Sequence, residues 1–412
     1  MTTRNVTTET NTGHTPNASM PSATVVKGGI FLGLCLLLIA FNLRPLFSSL
    51  SVLLPEVSQG LNLSGAMAGY LTTLPVLCLG LFAPFAPGLA DRFGVERVLL
   101  FVLVLIGTGT ALRAFDFTTT LFLGSAMAGA GIAMGNVLLP SVVKRDFPNH
   151  VSIMTALFSM ALCGGAAVGA ALGVPLAEWG GSWQFGLGIW ALPAFAVALF
   201  WTPYSLKNKA PASTRHLPRI RLLHDGLAWQ VACFMGLQSG LAYCVLGWMA
   251  PILRWRGLDA FTAGFYVSAS VMAQVATCLL VPPLAARMRS QSLFNAGLAL
   301  LAASSLVGQV LAPLGLLPVL AVLQGVGQGG LFAIAMTVII LRSPDPRVAA
   351  RLSGMSQTIG YVLAAFGPML VGSLYASTGG HQASAWLFVG IGLAAMASGW
   401  GAGRPLYVKP RE

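Results

Sequence analysis

Runs of about 20 apolar residues recur along this 412-residue chain, and each is long enough to cross a lipid bilayer. Lipid offers no hydrogen-bond partner to a peptide group, so a spanning segment must be a helix or part of a closed β-barrel. The runs are continuous and do not alternate between polar and apolar residues, which excludes the barrel. Only 8% of the residues are charged, far fewer than in a water-soluble domain. The sequence therefore predicts an all-α polytopic membrane protein.

Twelve spans are predicted, in two sets of six. The first set forms an N-terminal six-helix bundle at 27–202, and the second forms a C-terminal bundle at 227–404. A polar, basic, proline-bearing segment at 203–226 is predicted to link them in the cytoplasm. A disordered tail is expected at 1–26 and a second, short cytoplasmic tail at 405–412. The spans are expected at 28–55, 64–87, 96–115, 118–144, 151–178 and 182–202, then at 227–254, 260–284, 290–312, 315–341, 348–377 and 382–402.

The basic residues predict the orientation of these spans. Of the 23 Lys and Arg residues, nineteen lie in segments that share a side of the membrane with both termini. Only Arg113, Arg254 and Arg256 lie on the opposite side. Because short cytoplasmic loops retain Lys and Arg, both termini are expected in the cytoplasm. The confinement of the charges to such loops also argues against a nucleic-acid partner, despite the net charge of +12.

The two sets of spans repeat one pattern. "LLPEV" at 53–57 and "MAPIL" at 249–253 are offset by 196 residues, and "AGY" at 68–70 and "AGF" at 263–265 by 195. Six spans in each set give the two sets the same orientation, so the expected pseudo-two-fold axis runs along the membrane normal. A substrate site is predicted between the bundles, near mid-bilayer.

The loop "PGLADRFGVERVLL" (87–100) resembles the signature loop of the major facilitator superfamily. Further stretches resemble the CynX/NimT group of cyanate and nitroimidazole transporters. The resemblance implies the twelve-helix fold of that superfamily and a bacterial inner-membrane location. It also implies secondary transport, by alternating access, of a small anionic or polar nitrogen-containing solute. The stretches are "AFNLRP" (40–45), "YLTTLPVLCLGLFAPFAP" (70–87), "GNVLLPSVVKRDFP" (135–148), "MGLQSGLAYCVLGWMAPIL" (235–253) and "LSGMSQTIGYVLAAFGPMLVG" (352–372).

Arg44 lies near the middle of the first apolar run. A charge at that depth costs a few kcal/mol or more, so it normally faces a cavity or a partner. No Asp or Glu lies within any predicted span to pair with it. One interpretation is that Arg44 is a structural clamp on carbonyls freed by Pro45. The other, which we favour, is that its planar guanidinium receives an anionic or strongly polar substrate.

Amide and aromatic side chains at mid-span complete the candidate substrate site. Amides donate and accept hydrogen bonds without charge, which suits a small polar ligand, although they also join packed helices. Trp248 has a second interpretation as an anchor at the membrane surface. Asn42 and Arg44 point to opposite sides of a regular helix, so both reach one cavity only if Pro45 distorts the span. The candidates beside Arg44 are Asn42, Asn136, Gln238, Gln274, Gln328, Gln357, Tyr243, Tyr361 and Trp248.

The resemblance also implies a cytoplasmic gate around Asp91, which would contact Arg351 at the start of the eleventh span. Arg92, Arg145 and Arg342 are assigned to the same gate, although membrane orientation alone also explains basic residues there. The second-half counterpart of Asp91 is Ala286, so the latch is expected to be one-sided.

No enzyme or metal site is indicated. The six cysteines all fall within spans without metal-ligand spacing, and no nucleophile–base pair lies at mid-depth. We expect a monomer whose partners are a small solute and the bilayer, with no cofactor. Two other functions stay open: a multidrug exporter of the same fold, and a membrane sensor that does not transport.

Overall fold

The computed structural model describes residues 24–147, 151–207, 222–344 and 346–409. All regular secondary structure in them is helical, and twelve segments are long and apolar enough to cross a membrane, which confirms the predicted fold class. The helices are α1 (Thr24–Asn42), α2 (Pro45–Gly60), α3 (Gly65–Phe82), α4 (Phe85–Phe93), α5 (Val95–Leu112), α6 (Thr118–Asp146), α7 (Val151–Trp179), α8 (Trp183–Gly188), α9 (Ala191–Lys207), α10 (Gly226–Trp255), α11 (Ala260–Ala286), α12 (Ser292–Leu311), α13 (Leu317–Leu341), α14 (Pro346–Thr378) and α15 (Gln382–Ala402).

We call α1–α9 the first half and α10–α15 the second half. Their internal packing repeats with the offset seen in the sequence. A Cβ atom on Gly131 would lie 2.8 Å from Cγ1 of Ile106, and one on Gly327 would lie 2.7 Å from the backbone nitrogen of Ala302. Each residue of the first pair precedes its counterpart by 196 positions. Small residues thus bring equivalent helices together in both halves, as pseudo-two-fold symmetry requires.

Three boundaries differ from the predicted ones. Residues 1–23 of the expected tail lie outside the described residues, and α1 already begins at Thr24. Likewise, 208–221 of the linker is not described, and α9 runs into the predicted linker as far as Lys207. The first span continues past the predicted end at residue 55, to Gly60.

The C-terminal segment is tied to the second half over its described length. The backbone N–H of Val408 donates to the carbonyl of Arg342 at 2.9 Å. The N–H of Lys409 donates to Oδ2 of Asp225 at 2.7 Å. Residues 405–409 are therefore attached to the second half by hydrogen bonds. Residues 410–412 lie outside the described residues.

The two halves meet at one end of the protein. We call the end where α1 begins and α15 finishes the terminal end, and the opposite end the distal end. Near the distal end α3 and α14 approach so closely that a Cβ on Gly69 would lie 3.1 Å from Cα of Gly372. Arg254, in the last turn of α10, binds Glu56 of α2, with Nη1 at 2.7 and 2.9 Å from its two carboxylate oxygens. The distal end is therefore closed.

The terminal end lacks such connections. Within the part of the chain that the structure describes, the side-chain hydrogen bonds between the halves begin at mid-depth, where Arg44 meets Tyr243. The others lie nearer the distal end and involve Trp248 and Arg254. The halves are thus joined from mid-depth to the distal end and separate toward the terminal end.

An aromatic cluster packs beneath the distal surface. The ring of His381, between α14 and α15, stacks on Tyr375 with centroids 4.5 Å apart and 13° between planes. Trp248 and Trp255 meet the same imidazole edge to face at 5.7 and 5.8 Å. His381 is only 2% exposed, and its Nδ1 has no hydrogen-bond partner among the described residues. Burial lowers the pKa of His381 from 6.5 to about 4, because a charged imidazolium would lose its hydration.

The folded protein is expected to lose stability as the pH falls from 6.5 toward 4. In that window the unfolded chain binds a proton at His381 and the folded chain does not, so unfolding is favoured at the lower pH. His381→Phe keeps an aromatic ring in the cluster and removes the titrating group. Its melting temperature in detergent should therefore vary less with pH than that of the wild type. Identical pH slopes for the two proteins would contradict this.

Candidate functional site

The first span is broken at the depth of Arg44. Helix α1 ends at Asn42 and α2 begins at Pro45, which has no N–H to continue the ladder and whose ring clashes with the preceding turn. The N–H of Leu43 turns back to the carbonyl of Ala40 at 3.1 Å. Arg44 has φ −120° and ψ −31°, outside regular helical geometry. Its side chain therefore leaves the chain at a gap between two helices, near the middle of the membrane.

Arg44 lines a cavity of about 700 Å³ between the two halves, a volume that includes the open mouth. Five helices complete the lining: α7 from the first half, and α10, α11, α13 and α14 from the second. Arg44 is the one charged side chain among the described residues that line it. The lining residues are Arg44, Ser159, Leu162, Cys163, Ala166, Gln238, Ser239, Ala242, Tyr243, Leu246, Val271, Gln274, Cys278, Gln328, Phe332 and Tyr361.

Two tyrosines flank the guanidinium. Nη1 of Arg44 donates to the hydroxyl of Tyr243 at 3.4 Å, a long hydrogen bond that leaves the other N–H donors unused by the described residues. Tyr243 meets Tyr361 edge to face at 6.2 Å, and Phe47 at 5.3 Å. No carboxylate forms an ion pair with Arg44 in the described part of the chain. The site thus presents a positive charge with free donors beside aromatic surfaces.

Opposite Arg44, two glutamines of the second half form a hydrogen-bonded pair. Nε2 of Gln328 donates to the main-chain carbonyl of Gln238 at 3.0 Å and to its Oε1 at 3.2 Å. Nε2 of Gln238 in turn donates to Oγ of Ser239 at 2.8 Å. Both glutamines are almost fully buried. Oε1 of Gln328 remains without a partner among the described residues.

A second, smaller cavity, whose volume of about 280 Å³ includes space open to solvent, lies on the distal side of Tyr243. Its lining includes Leu50 and Thr72 as well as Tyr243 and Leu246, which also line the larger cavity. Tyr243 and Leu246 therefore form the wall between the two spaces.

The structure brings six of the ten predicted substrate-site residues to the larger cavity. These are Arg44, Gln238, Tyr243, Gln274, Gln328 and Tyr361. The other four do not line it.

Asn42 bonds back to its own helix, where Nδ2 donates to the carbonyl of Leu38 at 2.8 Å. The break at Pro45 therefore does not turn both polar residues to the cavity, and only Arg44 reaches it. Asn136 is partly buried elsewhere, with Nδ2 lacking a partner among the described residues. Gln357 donates to Oγ of Ser353 at 2.9 Å, one turn earlier on α14.

Trp248 lies in the distal aromatic cluster, away from the larger cavity. Its Nε1 donates to Oγ1 of Thr72 at 3.1 Å, so it joins the two halves. Trp248 is only 2% exposed, so it is not an anchor at the membrane surface. It does not line the larger cavity either, so neither predicted position for Trp248 matches the structure.

Sequence reasoning missed the thiols and the phenylalanine of the cavity. Helical spacing carried a signal for two of them, because Cys278 is four residues after Gln274 and Phe332 is four after Gln328. Cys163, on α7, follows the cavity-lining Ser159 by four residues, but no residue of that face is among the predicted site residues. All six cysteines are free thiols.

The predicted cytoplasmic latch is not formed in this conformation. Asp91 and Arg351 are both exposed, and no ion pair or hydrogen bond joins them in the described residues. Arg92 lies over the ring of its neighbour Phe93 at 5.2 Å. The halves are apart at the terminal end, which separates the latch residues of α4 from those of α14.

The other two predicted gate residues are bound within their own halves. Nη2 of Arg145 donates to Oε1 of Glu96 at 2.6 Å, linking the end of α6 to the start of α5. Nη2 of Arg342 donates to Oε1 of Gln291, linking the end of α13 to the turn before α12. Arg145 and Arg342 thus occupy equivalent positions in the two halves. Each arginine links two helices at the terminal end of its own bundle. Burial lowers the pKa of Arg342.

A second buried arginine lies at the distal end of α5. Arg113 is fully buried, and its Nη1 donates to the carbonyl of Leu46 at 3.1 Å. Burial lowers its pKa to about 9. The pattern of basic residues predicts that Arg113 lies on the side opposite the termini, and in the structure its side chain binds the start of α2, beside the break.

Known proteins resemble this chain over most of its length. The model of the Major Facilitator Superfamily matches residues 30–307. The 2-nitroimidazole transporter of Escherichia coli is 37% identical over 86% of this chain and 90% of its own length. The cyanate transport protein CynX of the same organism is 30% identical over 86% of this chain and 92% of its own. The crystal structure of the nucleoside transporter NupG superposes with a TM-score of 0.73 at 14% identity, covering 90% of this chain and 99% of that one.

Proposed function

This chain belongs to the Major Facilitator Superfamily, as a multi-pass bacterial membrane transporter of the CynX/NimT type, and we propose that Arg44 is its central substrate-binding residue. The cargo is a small anionic or polar nitrogen-containing solute, cyanate-like or nitroimidazole-like, and it crosses the inner membrane by alternating access. The relatives named for 2-nitroimidazole and cyanate support that class of cargo.

The observation that carries this proposal is the position of Arg44. A guanidinium is costly in the membrane unless water, a counter-charge or a ligand satisfies it. Here it faces a cavity between the halves, has one long hydrogen bond to Tyr243, and meets no carboxylate among the described residues. A small anion or a nitro group would accept two parallel N–H bonds from its planar fork. The neighbouring tyrosine rings offer faces on which a flat solute can stack.

The open terminal end and the closed distal end indicate which side of the membrane the cavity faces. With both termini in the cytoplasm, the terminal end faces inward, and this conformation is inward-facing. The Glu56–Arg254 pair and the contact of Gly69 with Gly372 then form the outer gate. When the halves rock to open that gate, α4 and α14 approach at the terminal end. Asp91 would meet Arg351 in that outward-facing state, with Arg92 in the same gate, while Arg145 and Arg342 hold the terminal ends of the bundles.

The proposal is tested by ligand protection of a native thiol, followed by flux. Cys163 lines the cavity with Arg44, so a bound solute should slow its alkylation by a maleimide. 2-Nitroimidazole is the first probe, and Cys163→Ser identifies the protected thiol, whereas cyanate, which itself carbamoylates thiols, is tested by uptake alone. Ligands that protect are then assayed for uptake into proteoliposomes. Protection without flux would indicate a sensor, and flux of unrelated organic cations would indicate a multidrug exporter.

Glu56→Gln is expected to open the outer gate more often, because it removes the charge that binds Arg254. The two side chains are partly exposed, so the pair stabilises closure by only about 0.5–1 kcal/mol, or a two- to fivefold change in population. A cysteine introduced at Leu50, which is 3% exposed and faces the smaller cavity, would report opening by its alkylation rate. Glu178→Gln, at an exposed distal position, is the matched control. Equal labelling rates in both variants would argue against a gating role.

A further inference from the structure

One buried acceptor without a hydrogen-bond partner belongs to a residue that lines the larger cavity. Gln328 is 1% exposed, and its Oε1 bonds to nothing among the described residues. A buried amide oxygen without a partner loses its hydrogen bonds to water and forms none with the protein, which costs free energy. Most buried polar groups in proteins therefore have a hydrogen-bond partner. An unsatisfied one beside a ligand cavity points to a ligand group that satisfies it.

The orientation of this amide is fixed by its neighbour. Oxygen and nitrogen of a glutamine are easily interchanged, so the assignment must come from the hydrogen-bond network. Here the nitrogen of Gln328 faces the main-chain carbonyl of Gln238, which can only accept. It also faces Oε1 of Gln238. Turning the amide over would set its oxygen against two acceptors, so Oε1 must be the free atom.

The neighbouring glutamine on the same helix shows what distinguishes Gln328. Gln324 lies one turn toward the distal end of α13, is fully buried, and accepts a hydrogen bond from Oγ of Ser270 at its Oε1, while its Nε2 has no partner among the described residues. It does not line the cavity. Gln324 therefore serves helix packing, whereas the unused oxygen of Gln328 belongs to a residue of the ligand site.

The two sides of the cavity are chemically opposite. The first half contributes a cation with free N–H donors at Arg44, and the second half contributes a free acceptor at Gln328. We infer that Gln328 is a specificity-determining residue that accepts a hydrogen bond from the cargo. This inference rests on the proposed function. The cargo class it defines is a small flat solute with an anionic or acceptor end for Arg44 and an N–H or O–H donor elsewhere on the molecule. Azoles with a ring N–H fit this class, whereas a donorless ion such as cyanate satisfies only the Arg44 side.

The inference is tested with three nitroimidazole analogues, at a pH where the ring N–H keeps its proton. One carries the free N–H, one is methylated on that nitrogen, and one is methylated on ring carbon as a control for size. The wild type should bind the N–H and C-methyl analogues about tenfold or more tightly than the N-methyl analogue. In Gln328→Met this preference should fall to about one, with little change for the N-methyl analogue. Gln324→Met, the same substitution one turn away, should keep the wild-type preference.

Equal affinity of the wild type for all three analogues would overturn the inference, and this result needs no variant to fold. Persistence of the N–H preference in Gln328→Met would overturn it as well. Either outcome leaves the proposed function intact, because the analogues would still bind. If no analogue or anion protected Cys163 or bound the wild type at all, the proposed function itself would fail.

Discussion

Replacing Arg44 with methionine is expected to weaken cargo binding by about 100-fold or more, because at least two charge-assisted hydrogen bonds of about 1.5–3 kcal/mol each are lost. The cavity offers no second charge to compensate, since Arg44 is the one charged residue among the described residues that line it. Methionine has a similar length and carries no charge at mid-membrane depth, so the folded protein should be at least as stable as the wild type. Ligand-dependent thermal shifts and proteoliposome flux measure the loss.

Two further variants separate charge from shape. Arg44→Lys keeps the charge and loses the planar fork, so it should bind with intermediate affinity. Arg289→Met removes an exposed arginine outside the cavity and should bind like the wild type. Unchanged affinity in Arg44→Met, with the protein folded, would show that Arg44 is only a clamp on its own span.

Gly372→Val is expected to prevent the distal end from closing and to stop transport. A Cβ at this position would lie 2.5 Å from Cα of Gly69 and 2.8 Å from the carbonyl oxygen of Gly65, and both are backbone atoms of the opposite half. Backbone cannot turn aside as a flexible side chain can, so the two halves must separate. Overpacking of this kind costs about 1–3 kcal/mol, which lowers the population of the outer-closed state about 5- to 150-fold.

The control for this variant is Gly390→Val on α15, where an added Cβ would meet nothing within 4 Å. It carries the same substitution into a helix of the same half without touching the first half. With a cysteine at Leu50 as reporter, Gly372→Val should be alkylated much faster than Gly390→Val. A closed distal end and normal flux in Gly372→Val would contradict this prediction, because α3 and α14 would then accommodate the valine side chain without separating.

Much of this molecule follows from residue type and spacing. Arg44 predicted the cavity, because an unpaired charge in a membrane span normally faces a cavity or a polar partner. Gln238, Gln274 and Gln328 reach the same cavity, and helical spacing extends from them to Cys278 and Phe332. The twelve-helix count follows from run length, and the repeat from the offset between the halves.

The failures have physical causes that a single sequence does not reveal. Asn42 satisfies its amide on the carbonyl of Leu38, and composition cannot distinguish a self-bonded amide from one that faces a ligand. Trp248 was assigned either to the substrate site or to the membrane surface, and it packs against Tyr375 and His381 instead. The expected contact of Asp91 with Arg351 is not formed here, and under the proposed alternating access it is assigned to the outward-facing state.

At the terminal end, the two bundles are held together by different kinds of interaction at equivalent positions. Arg145 meets the carboxylate of Glu96 and its side chain is 45% exposed, whereas Arg342 is buried against the neutral amide of Gln291. Dissolved ions screen charge over about 10 Å at 0.1 M, and they act on an exposed ion pair far more than on a buried bond to an amide. Rising ionic strength is therefore expected to weaken the half-exposed Arg145–Glu96 pair more than the Arg342–Gln291 bond, so the two bundles lose stability unequally.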